Sequence, residues 1–166
     1  MLVRLMYASR AVPAVDQDEL IAILKKSKAN NPRSGVTGAL CFSDGIFIQV
    51  LEGGRGAVNK LYAQIASDAR HTDVVLLSYE EIEERRFAGW SMGQVNMSRL
   101  NPALLLKYSE CAKLDPYAVS GKVSMALFDE LVATAAIMGT SLCRCGLCEC
   151  GNRILRRGRK LWSGSC

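Results

Sequence analysis

Along residues 2–8, Val3, Leu5 and Tyr7 alternate with Leu2, Arg4 and Met6, and this period-two pattern predicts a strand with Tyr7 on one face and Arg4 on the other. After a turn marked by Pro13 the period becomes helical. Leu20, Ile23 and Leu24 form an apolar stripe, Asp16 with Glu19 three residues on supplies an N-terminal cap, and the helix is expected to run to about Ala29 and end before Pro32. Two β-rich runs, 35–42 and 46–51, then flank Ser43-Asp44-Gly45, a turn of hairpin length with Asp-Gly chemistry. Glu52-Gly53-Gly54-Arg55-Gly56 reads as a break before a second helix, whose stripe is Val58, Leu61, Tyr62 and Ile65 and which runs to about Ser67. Val74–Tyr79 predicts a fourth strand and Trp90–Val95 a short fifth.

This order predicts an α+β fold, the ferredoxin-like βαββαβ arrangement with a fifth strand added, in which two helices cover one face of an antiparallel sheet. The other face needs a cover too. Val123, Leu127, Leu131, Ala135 and Met138 lie at helical spacing within residues 116–139, so one or two C-terminal helices are expected across the far side of the sheet or in a dimer interface. An apolar helix there leads us to expect a homo-oligomer. The predicted organisation is a domain over 1–97, a helical extension over 98–140 and a tail over 141–166 in which no apolar period survives.

Composition changes this picture little, but charge does. The chain has 166 residues, 49% hydrophobic and 22% charged, with a net charge of +5. Residues 141–166 carry six basic side chains against the single acid Glu149, so the basicity belongs to the tail and the first 140 residues balance. The folded part therefore has no electrostatic footprint for nucleic acid. The opening Met1–Tyr7 stretch is too short and too alternating for a signal peptide, no run is long enough to span a membrane, and a cytoplasmic location is expected. Cys143, Cys145, Cys148 and Cys150 form C-x-C-x2-C-x-C, which lacks the two separated C-x2-C halves of the usual zinc site, so an unstructured tail without metal is expected. Cys41 and Cys111 read as ordinary thiols, and Glu80–Arg86 as a solvated charged connection.

The candidate chemistry starts from Gln49, a primary amide within Ile46-Phe47-Ile48-Gln49-Val50-Leu51. An unpaired buried amide costs on the order of 1 to 3 kcal/mol, so something on that face must donate and accept hydrogen bonds. The alternation puts Tyr7 on the same helix-covered face, with Phe47 and Leu51, and places Asn30-Asn31 at the end of the first helix, within reach of that region of the sheet. Two readings stay open: a satisfied network in which Tyr7 bonds Gln49 and Asn31 caps its helix, or a binding pocket between the two helices. His71 is the sole histidine and has no serine or cysteine partner motif for catalysis.

Several stretches, in order over residues 1–95, carry a specific resemblance: Arg4-Leu5-Met6-Tyr7-Ala8-Ser9, Asn30-Asn31-Pro32-Arg33-Ser34-Gly35-Val36-Thr37-Gly38, Phe47-Ile48-Gln49-Val50-Leu51-Glu52-Gly53, Asp68-Ala69-Arg70-His71, Arg85-Arg86-Phe87 and Trp90-Ser91-Met92. Together they resemble the BLUF family of flavin-binding blue-light sensors, in its short single-domain form. The resemblance implies FAD held noncovalently with its ring between the two helices. It implies Asn31 on the polar edge of the ring, with Ser27, Asn30, Arg70 and His71 lining the pocket. Tyr7 then corresponds to the electron and proton donor, Gln49 to the switching amide, and Trp90 and Met92 to a pair on one face of the last strand that reports the change. It further implies a non-enzymatic sensor that signals to a protein partner. Without it, the same residues fit a ferredoxin-like small-molecule or protein-binding module. An acylphosphatase-type enzyme is weakened by the lack of a phosphate-cradling loop with a catalytic arginine and asparagine.

Overall fold

The chain begins with β1 (Leu2–Ala11), which runs the full length of the sheet, and crosses above it in α1 (Gln17–Ser34) before the hairpin of β2 (Thr37–Ser43) and β3 (Ile46–Gly54). It crosses again in α2 (Arg55–Ala66) and returns in β4 (His71–Ile82), followed by β5 (Gly93–Val95), α3 (Pro102–Leu106), α4 (Gly121–Thr134) and a two-residue β6 (Ile137–Met138). These elements come from a computed structural model, in which residues 1–13, 17–95, 101–134 and 137–138 are described. The expected cap Asp16, the stripe residue Ala135 and the Cys143–Cys150 cluster lie outside them.

The sheet order is β4-β1-β3-β2-β5-β6. β3 lies between β1 and β2 and is antiparallel to both, and β1 lies between β3 and β4, which is the ferredoxin-like interleaving of two split βαβ units. The fifth strand differs from a wholly antiparallel sheet, because β5 pairs parallel to β2 through Ala39↔Gly93, Leu40↔Gln94 and Cys41↔Val95. The hairpin turn has φ 51° at Asp44 and 73° at Gly45, the two positive values that a two-residue type I′ turn requires.

Each face of the sheet closes its own core. On the near face, Val3, Leu5 and Tyr7 of β1, Phe47 and Leu51 of β3, and Leu40 of β2 pack against Leu20 and Leu24 of α1 and Val58 of α2. On the far face, Met6, Ala8, Ile48 and Val50 pack against Leu127, Phe128 and Leu131 of α4 and Leu105 of α3. Each of those α4 side chains contributes about 1.5 to 3 kcal/mol by leaving water. The C-terminal helices thus cover the far side as expected, and their apolar residues share one core with the sheet.

Four local expectations are corrected. Pro32 lies inside α1, which continues to Ser34. The ring removes one helical hydrogen bond, but the helix has a proper terminus one turn later: Gly35, at φ 64°, donates to Pro32 O at 3.2 Å and Val36 N donates to Asn31 O at 3.0 Å, a Schellman pair. Glu52–Gly54 is not a turn, since these residues remain paired with β1 up to Gly54↔Leu2 and α2 begins directly at Arg55. Glu80–Arg86 is not simply solvated: Glu80 pairs with Arg4, Glu81 with Arg55 and Arg86 with Asp129 of α4. Finally, α4 ends at Thr134, and Met138 is in β6, where it pairs with Gln94 rather than extending the helical stripe.

Candidate functional site

A cavity of about 490 Å³ opens between α1 and α2 above the near face of the sheet, with Tyr7, Leu40, Phe47 and Gln49 among its lining. The period of two in β1 and β3 puts these side chains there, and the register Tyr7↔Gln49 makes the phenol and the amide direct cross-strand neighbours. Tyr7 Oη donates to Gln49 Oε1. Gln49 Nε2 in turn donates to Met92 Sδ at 3.1 Å, so the three side chains form one chain of hydrogen bonds. All three are buried, and burial, with Tyr62 and Asp68 adding to it, pushes the Tyr7 phenol far above its ordinary value. Tyr7 therefore stays protonated, and its proton faces an acceptor.

The last turns of α1 supply the next wall. Ser27, Asn30 and Asn31 line the cavity, and Asn31 is held by donating from Nδ2 to Ser91 O at 2.8 Å. That contact corrects the reading of Asn31 as a helix cap, because the Schellman pair at Gly35 terminates α1 through backbone groups alone.

Arg70 and His71 stand at the start of β4 on the cavity's other side. The Arg70 guanidinium bonds both oxygens of Asp68 and donates from Nη1 to Glu19 Oε1 at 2.6 Å, tying the α2–β4 turn to α1. Glu19 thus serves this clamp. Arg70's hydrogen bonds hold Asp68 well below the usual carboxylate range. His71 Nδ1 lies 2.7 Å from Ser9 Oγ, and its ring is 4.8 Å from that of Phe47. Burial lowers the His71 pKa, and Arg70 adds to this against the opposing pull of Asp68.

Below the ordinary 6.5, the unfolded chain binds a proton at His71 that the folded chain resists, so stability is full above that pH and declines as pH drops beneath it. Asp68 acts in a lower window: its contribution is present above its ordinary 3.8 and is lost only as pH falls further. The fall in melting temperature between about pH 7 and about pH 5 is expected to be shallower in His71→Gln than in the parent, measured by thermal unfolding across that range.

Trp90 and Met92 do not share a face. Trp90 makes only an isolated bridge and β5 starts at Gly93, so the bends at Ser91 and Met92 break the alternation. Met92 therefore enters the near core against Gln49, while Trp90 packs in the far core with its ring 5.8 Å from that of Phe87.

The structure thus gathers Tyr7, Ser27, Asn30, Asn31, Gln49, Arg70 and His71 around one cavity, with Met92 behind Gln49 and Trp90 outside it. Sequence reasoning missed Lys26, Arg33 and Lys60 on the exposed rim, and Tyr62, whose ring lies 5.6 Å from that of Tyr7. Leu61 and Ile65 look like ordinary stripe residues of α2, yet they line the cavity, and Val58 is the helix's only buried residue. The donor set fits a flat heteroaromatic group with a polar edge: apolar walls from Ile23, Leu61 and Ile65, and amides from Asn31 and Gln49 at the inner end.

The comparisons agree with that chemistry. The family model of sensors of blue-light using FAD, BLUF, matches residues 2–93. The photoactivated adenylate cyclase subunit beta of Euglena longa is 37% identical over 92 residues, 55% of this chain and 11% of that one. The chain therefore spans about a tenth of the length of the curated relatives it matches. Among solved structures, BlsA in its photo-activated state is 29% identical with a TM-score of 0.74, over 83% of this chain and 100% of that one. BlrB, a BLUF protein in its dark state, is 32% identical with a TM-score of 0.68, over 80% of this chain and 95% of that one. With the family match spanning more than half of its length, the chain belongs to the BLUF family and is a flavin-binding sensor of blue light.

Proposed function

We propose that this sensor holds FAD between α1 and α2 and reads light through Tyr7 and Gln49, passing the change to a protein partner rather than to chemistry of its own. The observation that carries this reading is the hydrogen-bond chain from Tyr7 Oη through the Gln49 amide to Met92 Sδ at the inner end of the cavity. Asn31, Asn30 and Ser27 of α1, with Arg70 of the α2–β4 turn and His71 of β4, would hold the cofactor, and Lys26, Arg33 and Lys60 on the rim suit phosphates, which favours FAD or FMN over riboflavin. When bound, the flavin supplies a blue-light chromophore that is a strong one-electron oxidant while excited.

Tyr7 is the phenol beside it that can give up an electron while its Oη proton passes to Gln49 Oε1. The amide has one acceptor and two donor positions, so rotation or tautomerisation changes which atom faces Tyr7 and which faces the cavity. Rotation turns the donor Nε2 away from Met92 Sδ and breaks its present bond there, since a thioether sulfur can only accept. A neutral hydrogen bond is worth about 1 kcal/mol net, so the responding element must be poised within a few kcal/mol of balance.

The contacts that favour α4 as that element run through the 83–92 connection. The Phe87 ring lies 6.2 Å from Phe128 of α4, edge to face, and Arg86 pairs with Asp129. The partner is a downstream signalling protein, with self-association through the C-terminal helices as part of the output. A reducing compartment, the cytoplasm, suits the buried Cys41, whose thiol burial pushes up to about 12, and the free, exposed Cys111. Among the described residues no helix is long and apolar enough to cross a membrane.

Protein purified with flavin is expected to be yellow and to show a small, reversible red shift under blue light. Colourless protein that takes up no added flavin overturns the reading. Gln49→Leu is expected to keep flavin and lose the shift, as seen in light-minus-dark difference spectra. Asn31→Ala is expected to lose cofactor first, with its dissociation constant raised about tenfold for the loss of an amide at the polar edge, by fluorescence titration with FAD.

A further inference from the structure

Among the described residues Glu52 is the only buried charged side chain, with no exposed surface at all. A buried carboxylate is costly unless both its oxygens are bonded, and here both are. Oε1 accepts from Arg4 Nε at 2.7 Å across the β1–β3 pairing, and Oε2 accepts from the backbone N–H of Phe87 at 2.8 Å. Arg85 secures the same corner, donating to Glu52 O at 3.3 Å, to Thr37 Oγ1 at 3.0 Å and to Gly35 O at 2.6 Å.

The segment that Glu52 anchors leads straight into the photoactive chain. Phe87 O accepts from Trp90 N at 3.0 Å, closing a turn, and Trp90 O accepts from Gly38 N at 3.1 Å. The next residue, Ser91, offers its carbonyl to Asn31, and the one after it, Met92, offers its sulfur to Gln49. One strand, β3, therefore holds both ends of this connection: Gln49 from the near face and Glu52 from the far face. A buried ion pair is seldom the most stabilising way to fill a core, so a geometric task is the better account of this one.

We propose that Glu52 is a positioning residue of the light response, fixing the 87–92 turn through Phe87 N–H and so setting the place of Met92 Sδ against the Gln49 amide. The proposal rests on the reading of Gln49 as the switching amide. It assigns Glu52 no contact with the cofactor.

The test uses the full chain loaded with FAD and compares parent, Glu52→Gln, Glu52→Met, Met92→Ala and the double variant Glu52→Met/Met92→Ala, following dark recovery after a blue-light pulse together with thermal unfolding. Glu52→Met is expected to change the recovery rate by about fivefold or more in the direction in which Met92→Ala changes it, with Glu52→Gln, which keeps an acceptor for Phe87, falling between. In the Met92→Ala background the same Glu52 change is expected to move the rate by less than about twofold, because its route of action is gone. Recovery within about twofold of the parent in both Glu52 variants, whatever their melting temperatures, overturns the proposal, as does an effect that multiplies undiminished in the double variant. Glu52→Gln, isosteric with the parent, carries the comparison alone if the Met variant does not fold. A parent that binds FAD but shows no reversible shift overturns the Gln49 reading and this proposal with it, whereas a normal shift with unmoved recovery overturns only the role of Glu52.

Discussion

Tyr7→Phe abolishes the light-induced red shift while flavin stays bound. The expectation rests on one atom. The Tyr7 hydroxyl is the donor to Gln49 Oε1, in a site where Tyr7 is 1% exposed and Gln49 5%. Phenylalanine keeps the ring, its packing against Tyr62 and the floor of the cavity, so cofactor affinity should change by no more than a few-fold. It removes the only proton that this position can pass to the amide, and a phenyl ring is far harder to oxidise than a phenol. It also leaves the Gln49 carbonyl without its donor, at about 1 to 3 kcal/mol, which should appear as a lowered melting temperature in the dark. Difference spectra before and after blue light decide the matter: a full-sized shift in this variant would remove Tyr7 from the donor role, and a colourless variant would make it a binding residue instead.

Gly38→Ala is expected to strike the fold hard, at the centre of the sheet. A Cβ added at Gly38 would stand 2.0 Å from Val50 O and 3.1 Å from Val50 C, both backbone atoms of the neighbouring strand, so no side-chain rotation relieves the clash. Either β2 and β3 must part at the Gly38↔Leu51 pair or the hydrogen bond from Gly38 N to Trp90 O must stretch. Overpacking of this kind costs roughly 3 kcal/mol or more, equivalent to a fall in melting temperature of about 6 to 12 °C for a chain of this size. Gly35→Ala provides the contrast. Nothing lies within 4 Å of a Cβ there, and only the positive φ of 64° opposes it, at about 1 to 2 kcal/mol. If the two variants melt alike, the close approach at Gly38 is not what the glycine is for.

Much of this architecture could be read from residue order, and the parts that could not share a physical cause. The Asp44-Gly45 hairpin, the near-face placement of Tyr7 and Gln49, and the meeting of Asn31 with the same region all follow from strand period and turn chemistry, which are local. Pro32 misleads because a proline sets only its own φ and its own missing donor, whereas the end of α1 is decided by Gly35 and Val36 beyond it. Trp90 and Met92 are separated because period two holds only while a strand is paired, and the bends between them cannot be seen in apolar spacing. Glu52 invites the same question as Gln49, since it is a polar group closing the apolar run in which Gln49 lies, and the structure supplies Arg4 as its cross-strand partner. Reading its glycine neighbours as a turn hid it. The resemblance carried Ser27, Arg70 and His71 to the cavity, where pattern alone had no claim on them, whereas the helix end had already set Asn30 within reach.

The single-layer sheet bears on anyone who would graft a different output onto this sensor. Along β3 every side chain belongs to one side only: Phe47, Gln49 and Leu51 to the cavity side, and Ile48, Val50 and Glu52 to the side under α4. A chimaera that replaces the helices after residue 101 therefore inherits a fixed socket. Its new helix must offer Met6, Ile48 and Val50 a surface as complementary as Leu127, Phe128 and Leu131 do now. Cavity and socket draw on different β3 side chains, so what a graft must keep between them is the 83–92 connection, with Phe87 set against the new helix as it now is against Phe128 and Arg86 given a partner in place of Asp129.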